Sequence, residues 1–294
     1  MADNNENKVL NVPHLRFPEF SGEWNKYTIN DLATVVGGGT PDTTVKSYWG
    51  GDIQWFTPSE IGKNKYVDFS KRTITRDGLD NSSAKLLPLH TILLSSRATV
   101  GECSIASNEC TTNQGFQSLI AKQCNIDFLY YLIQTKKKDL IRNACGSTFL
   151  EISANEIRKI KVAVPVQNEQ EQIAKLLSLI DERIATQNKI IEKLQSLIKG
   201  LVDELMTVLL KGKLYPFSSF YIKAGEGGTP TTSVVEYYTE GTIPFIKIED
   251  LSCKYLTNNK DFITELGMQK SSAWLIPSKS VIYSNGATIG AISI

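Results

Sequence analysis

One stretch of this chain is written twice. With the sequence set against itself at an offset of 189, residues 82–105 fall on 271–294 with 11 identities in 24 positions, among them Ser82, Ser83, Ala84, Pro88, Ser95, Ala98, Thr99 and Gly101. At the same offset Gly38-Gly39-Thr40-Pro41 falls on Gly227-Gly228-Thr229-Pro230, and Tyr48 on Tyr237. One inserted residue later, Gly51, Ile53 and Trp55 meet Gly241, Ile243 and Phe245. The period is far longer than that of any solenoid repeat, so two copies of one domain are expected. The second copy reads as incomplete: Ile294 matches Ile105, and counterparts of 106–161 do not follow. A β-rich domain divided in mid-sheet carries an unpaired strand edge, which lowers its stability in isolation.

The segment that joins the copies has a different period. Across 167–211 the apolar residues spaced by four and three are Ile173, Leu177, Ile180, Ile184, Ile191, Leu194, Ile198, Leu201, Leu205 and Val208, with Gln187 as the polar member. A 3.5-residue repeat held this long keeps one narrow stripe facing a partner helix, the sequence condition for a coiled coil. Pro165 precedes the pattern, Gln167 or Asn168 can cap it, and Gly212 closes it. Gly200, inside it, costs only about 1 kcal/mol relative to Ala. At 1.5 Å of rise per residue the helix would be roughly 65 Å long, a spacer in dimension.

A chain of 294 residues suits two globular units and a connector, and its 41% hydrophobic and 21% charged residues are those of a globular protein able to bury a core. No apolar run is long enough for a membrane span, and Met1-Ala2-Asp3-Asn4-Asn5-Glu6 lacks the basic and apolar parts of a secretory signal, so a cytoplasmic location with no membrane partner is expected. Net charge is +1; residues 1–160 hold 18 Lys and Arg against 17 Asp and Glu, and 214–294 hold 6 against 7. Any nucleic-acid role must therefore rest on local patches.

In chain order, residues 13–24, with Pro13 and Pro18 among Phe17, Phe20 and Trp24, read as an extended arm anchored by its aromatics. A helical turn is expected at 30–35, then a tight turn at Gly37-Gly38-Gly39, where neither the G-x-x-x-x-G-K-[ST] nor the G-x-G-x-x-G pattern is present. Strands are expected at 53–56, 66–69, 73–75, 86–94 (interrupted by Pro88), 102–106 and 115–121, with a turn at Asp77-Gly78. Helices follow at 126–144 and 153–158, and a strand at 160–165 ends at Pro165. This is an α+β order of elements. The expected divisions are 1–164, a helical connector over 165–213, and 214–294.

Signals for catalysis are weak. His14 and His90 belong to no metal-spacing cluster, and Cys103, Cys110, Cys124, Cys145 and Cys253 contain no C-x-x-C pair and read as reduced thiols. Pro41-Asp42 with Lys46 lacks the acidic-x-Lys element of a nuclease metal site, and no Asn-Pro-Pro-Tyr-type methyltransferase box is present. No metal site or catalytic residue is assigned.

The order of features resembles the DNA-specificity subunit of Type I restriction-modification systems. The likeness is carried by Leu15-Arg16-Phe17-Pro18-Glu19-Phe20 with Trp24, the two Gly-Gly-Thr-Pro loops, 93–101 with its copy at 282–290, Thr112-Asn113-Gln114-Gly115-Phe116, Gly146-Ser147-Thr148, and Pro165 leading into Glu169-Gln170-Glu171-Gln172-Ile173-Ala174. The resemblance implies an α+β fold of two repeated β-rich target-recognition domains separated by a long coiled-coil-type helix, the second domain partial and a second helical region missing. It implies a non-catalytic subunit that reads a bipartite double-stranded DNA target and docks methyltransferase and restriction/translocase subunits. Those partners would bind S-adenosylmethionine, ATP and Mg, and this chain would carry no cofactor. Two such reading domains would leave an unread spacer of set length between their half-sites.

Local charge nominates the DNA contacts. Lys63, Lys65, Lys71, Arg72 and Arg76 crowd 14 residues interleaved with Tyr66 and Phe69, while Lys136, Lys137, Lys138 and Arg142 lie on one expected helix. These suit phosphates; Arg97, Gln54, Asn81 and Ser96, in loops, suit base edges. Each has a solvated surface as its ordinary alternative. Rival readings are a coiled-coil adaptor with paired binding domains that never touches DNA, and a fused restriction enzyme, which the missing nuclease and methyltransferase boxes disfavour. Self-association through two antiparallel 167–211 helices, with Gln187 marking the register, is a further expectation.

Overall fold

The computed structural model describes residues 12–146, 150–212, 214–251, 253–286 and 288–294. The chain divides into two compact units, Met1–Lys199 and Gly200–Ile294.

The first unit is built on three sheets. A five-stranded sheet has the order β2-β9-β6-β7-β4, formed by β2 (Ala33–Gly37), β4 (Tyr66–Val67), β6 (Ile92–Leu94), β7 (Cys103–Ala106) and β9 (Gln117–Ala121). A three-stranded sheet, β5-β3-β8, is formed by β3 (Trp49–Phe56), β5 (Arg72–Ile74) and β8 (Cys110–Thr112), with β5 antiparallel and β8 parallel to β3. The pair β1 (Asn25–Thr28) and β10 (Lys161–Val164) closes the third. Fully buried Ile92, Leu94, Ile105 and Leu119 of the large sheet meet Leu129 and Ile133 of α3 (Ile126–Thr135), Leu140 of α4 (Lys137–Arg142) and Ile157 of α5 (Ala154–Lys159) in one core. A second core of Phe56, Leu87, Leu93 and Phe116 lies under β3.

Several elements depart from the sequence expectation, each for a local reason. The helical turn at 30–35 is α1 (Ile29–Leu32), held by Asp31 Oδ2 accepting from the Thr28 N–H and hydroxyl (2.7 Å each); Ala33 then starts β2 by pairing with β9. Asp77-Gly78 is not a free turn, because Thr75 Oγ1 accepts from Gly78 N at 3.1 Å and caps α2 (Arg76–Asp80). The helix expected at 126–144 is two helices that break at Lys136 (φ −92°, ψ 4°). Strand structure within 86–94 is confined to Ile92–Leu94, with Leu87 making a single bridge to Cys110, and exposed His90 takes φ 63° in the turn between. Residues 110–112, assigned no element by sequence, form β8 by parallel pairing with β3.

The helix α6 runs unbroken over Gln167–Leu209, through Gly200. Its first turns belong to the first unit: Glu169, Gln170 and Ala174 are buried, and Ile173 packs against the large core. From 179 to 212 every residue is exposed. No helix among the described residues is long and apolar enough to cross a membrane.

The second unit repeats four strands of the first, β3, β5, β6 and β7, while the counterparts of β1, β2 and β4 are not strands among its described residues. It contains β11 (Ile243–Phe245), β12 (Asp261–Ile263), α7 (Glu265–Gln269), β13 (Ile282–Tyr283) and β14 (Ile292–Ser293). Ile243 pairs with Ile263 as Ile53 pairs with Ile74, and Ile282 with Ser293 as Leu93 with Ser104. Small bonds recur as well. Thr264 caps α7 through Gly267 N and donates to Glu236 O, as Thr75 does with Gly78 N and Ser47 O. The Ile294 N–H donates to Lys254 O as Ile105 donates to Lys65 O, and Gly290 and Gly101 both take φ 90°. Several residues identical at offset 189, Thr75, Gly78, Gly101 and Ile105 among them, thus take the same backbone role in both copies.

Candidate nucleic-acid interface

On the exposed edge of the three-stranded sheet, β5 presents Lys71 at its entrance and Arg72 at its first position, both exposed. Arg72 lies directly opposite Trp55 in the β3–β5 register, so both side chains share a face. Its guanidinium carbon sits 3.6 Å from the centre of the Trp49 ring and 5.4 Å from that of Trp55. The two indoles meet edge to face at 5.0 Å. Each is tied back to one loop: Trp55 Nε1 donates to Gly39 O at 2.9 Å and Trp49 Nε1 to Asp42 O at 3.1 Å. An arginine on such a platform gains about 0.5–1 kcal/mol from the ring and keeps its planar fork of donors in a fixed direction.

The triple glycine is what lets that loop reach its place. A Cβ on Gly38 would overlap the Asn113 carbonyl and Thr112 Oγ1, and one on Gly39 would overlap Ser83 and Ala84. The Gly39 N–H donates to Thr112 O at 2.8 Å. The Gly-Gly-Thr-Pro motif is therefore a close-packing device that carries the tryptophan platform.

The remaining candidates fall in different surroundings. Lys63 and Lys138 are exposed. Lys65 is half-buried: its ammonium donates to Asp127 Oδ1 and Ser178 Oγ at 2.7 Å each and lies 4.6 Å from the Tyr131 ring centre. With a third bond to Tyr131 Oη at 3.3 Å, that set joins the residue before β4 to α3 and α6 and leaves no donor for a phosphate. Burial works against the Asp127 charge, but the Lys65 and Tyr66 hydrogen bonds outweigh it and hold the carboxyl below its ordinary range. Arg76 pairs with Asp80 (3.3 Å), Arg97 with Glu151 (2.7 Å), Lys136 (3.8 Å) and Arg142 (3.4 Å) with Asp139, and Lys137 with Glu102. Since Lys136 is the junction between α3 and α4, the four cations do not lie on one helix. Of the residues nominated for base edges, Ser96 is fully buried; Gln54 lies not in a loop but within β3, paired with Thr73 and Cys110, and its Oε1 accepts from Ser70 N; Asn81 Nδ2 donates to Asp77. Among the described residues no group of three or more His, Cys, Asp or Glu could hold a metal ion.

The stripe along α6 is exposed and broader than the heptad seam. Ile180, Ile184, Ile191, Leu194, Ile198, Leu201 and Leu205 are 45–62% exposed, as are Leu179, Leu197, Val202 and Met206 between them. Leu177 is half-buried and Ile173 is taken by the first unit's core, so the open stripe begins at Ile180, about two turns later than the sequence pattern does.

Sequence reasoning missed what anchors that helix. Glu169, fully buried, accepts from Arg16 at both oxygens (2.7 and 2.8 Å) and from Trp24 Nε1 at 3.2 Å, while Arg16 also donates to Gly22 O. The Glu169 hydrogen bond, ahead of the opposing effect of burial, strengthens the charged form of Arg16. Gln170 accepts from Asn125 N and donates to Pro165 O. The arm at 13–24 is thus held by a polar clamp as well as by its rings, 145–153 residues away along the chain.

The fold is a duplicated strand framework, each copy placing a lysine, Lys71 or Lys260, at the entrance to an edge strand. The chain belongs to the family described as the Type I restriction modification DNA specificity domain, whose model matches residues 21–196. It is similar to the Type I restriction enzyme MjaIX specificity subunit of Methanocaldococcus jannaschii, 33% identical over 287 residues that cover 89% of this chain and 66% of that one. It is also similar to the EcoR124I/EcoR124II specificity subunit of Escherichia coli, 29% identical over 175 residues, 57% of this chain and 43% of that one. The chain spans two thirds or less of the length of these relatives. Among solved structures, the Type-I restriction-modification system S subunit from M. genitalium aligns with a TM-score of 0.46 at 19% identity, covering 92% of this chain and 68% of that one.

Proposed function

We propose that this chain reads DNA sequence for a Type I restriction-modification assembly and does no bond-breaking chemistry itself. The observation that carries the reading is a family match over residues 21–196 joined to an internally duplicated framework with equal strand registers. Each copy would take one half-site in the major groove, where base pairs differ in their donor and acceptor patterns. Lys63, Lys71 and Lys138, exposed and with side-chain ammonium groups in no ion pair among the described residues, suit phosphate contact and would set register and affinity. The open stripe on α6 is an apolar patch of the kind that marks a protein partner. Methyltransferase subunits would seat on it and restriction/translocase subunits would join that core, with S-adenosylmethionine, ATP and Mg held by those partners in the cytoplasm. The helix would also act as the spacer between the two readings.

The test is methylome sequencing of cells with and without this gene. A split motif with a fixed unread gap, present only with the gene, is expected; an unchanged methylome or a continuous motif would overturn the reading.

A further inference from the structure

The two copies make possible a comparison inside one molecule. At the equivalent of Lys71 the second copy has Lys260, also exposed, so the cation before the edge strand recurs. At the next position the copies part. Arg72 pairs in register with Trp55, and its counterpart Asp261 pairs in register with Phe245. The aromatic floor is kept in kind: Trp49 and Trp55 correspond to Tyr238 and Phe245, and Tyr238 donates to the Pro230 carbonyl of its Gly-Gly-Thr-Pro loop at 2.5 Å, much as Trp49 donates to Asp42 O. Asp261 meets Lys247 at 2.8 Å, whereas Arg72 has no carboxylate partner among the described residues. The backbone, the floor and the preceding lysine are therefore held while the charge at this position reverses; the other reversal nearby, Arg76 against Glu265, lies on the following helix, where Arg76 is paired with Asp80.

A phosphate is present in every target, so a phosphate-contacting position keeps its charge in both copies; an aspartate there would repel the strand. A base-reading position must change when the base changes. We propose that Arg72 is a base-reading residue of the first copy, its guanidinium edge taking a guanine through O6 and N7, and that Lys71 and Lys260 are the phosphate contacts beside it. The assignment rests on the DNA-reading function proposed above and refines it. Arginine in a fixed orientation matches the two guanine acceptors bidentately. The stack on Trp49, with both indoles tied to the glycine loop, supplies that orientation before DNA arrives, so little side-chain freedom is lost on binding.

The experiment is selection from a random duplex library by the full chain, alone and in the assembly purified from its own cells, followed by sequencing. The wild type is expected to enrich a motif with an invariant guanine in one half-site. R72K, which keeps the charge and loses the fork, should flatten the preference at that position alone by about 5- to 150-fold and leave the salt dependence unchanged. K71A should weaken all duplexes alike and reduce the salt slope by about one. Replacing that guanine with 7-deazaguanine, which deletes the N7 acceptor, should weaken wild-type binding and needs no altered protein. An R72K motif identical to the wild type, or tight binding with 7-deazaguanine at every motif guanine, overturns the role of Arg72 alone. A wild-type chain and assembly that enrich nothing overturn the DNA-reading function with it.

Discussion

Single residues in this chain divide into those that hold the backbone and those left free to meet a ligand. Gly38 is of the first kind: Gly38→Ala would force a Cβ into the Asn113 carbonyl, and a loss of about 1–3 kcal/mol is expected, read as a lower unfolding midpoint in denaturant. The thiols give a simpler check. Burial pushes Cys103, Cys110 and Cys124 up to about 12, while Cys145 and Cys253 are exposed, so a thiol reagent at pH 7 should label the exposed pair quickly and the other three only after unfolding. Carboxylates set the acid limit. Asp31, held by hydrogen bonds from the Thr28 side chain and backbone, and Asp127, with its Lys65 and Tyr66 bonds, titrate below their ordinary range in the folded chain. A lowered folded value means stability that is complete above the unfolded value and lost as protons bind. Thermal midpoints should thus hold steady from pH 7 to 5 and fall below about pH 4, and Asp127→Asn should shallow that fall.

At the scale of elements, α6 carries two jobs at different places along its length. Its first two turns are part of the first unit through Glu169, Gln170, Ile173 and Ala174, and the exposed remainder offers an apolar stripe. Ile184→Lys with Ile191→Lys should therefore abolish capture of the methyltransferase partner, measured by co-purification, and leave the melting of the first unit unchanged; retained capture would remove the stripe from the interface. The heptad spacing made this helix legible because a periodicity is a property of neighbours in sequence. Element ends were less legible. The capping of α2 by Thr75 and the break at Lys136 are decided by one side-chain bond or one backbone angle, and the same residues are compatible with a turn or a continuous helix. The strand β8 was missed because its pairing partner, β3, lies more than 50 residues earlier in the chain.

For the molecule as a whole, the duplication and the connecting helix frame the proposed function, and the gap in the target should follow helix length. Inserting one heptad into the exposed part of α6 adds about 10 Å of helix, and methylome mapping should show the unread gap lengthened by up to about three base pairs. An unchanged gap would remove α6 as the spacer. The duplication was legible from identities at offset 189, and several of those identities, the caps Thr75 and Thr264 and the glycines Gly101 and Gly290 among them, prove to set backbone geometry. By itself the sequence determined the repeated framework, the α+β order and the long helix, because each is written in local spacing that survives without knowledge of contacts. Only the tertiary structure decided which cations are spent and which are free: Lys65 goes to Asp127 and Ser178, Arg97 to Glu151, and Arg72 stands over two tryptophans. A charge's availability depends on partners brought from distant parts of the chain, and one residue type in one sequence window is compatible with either fate.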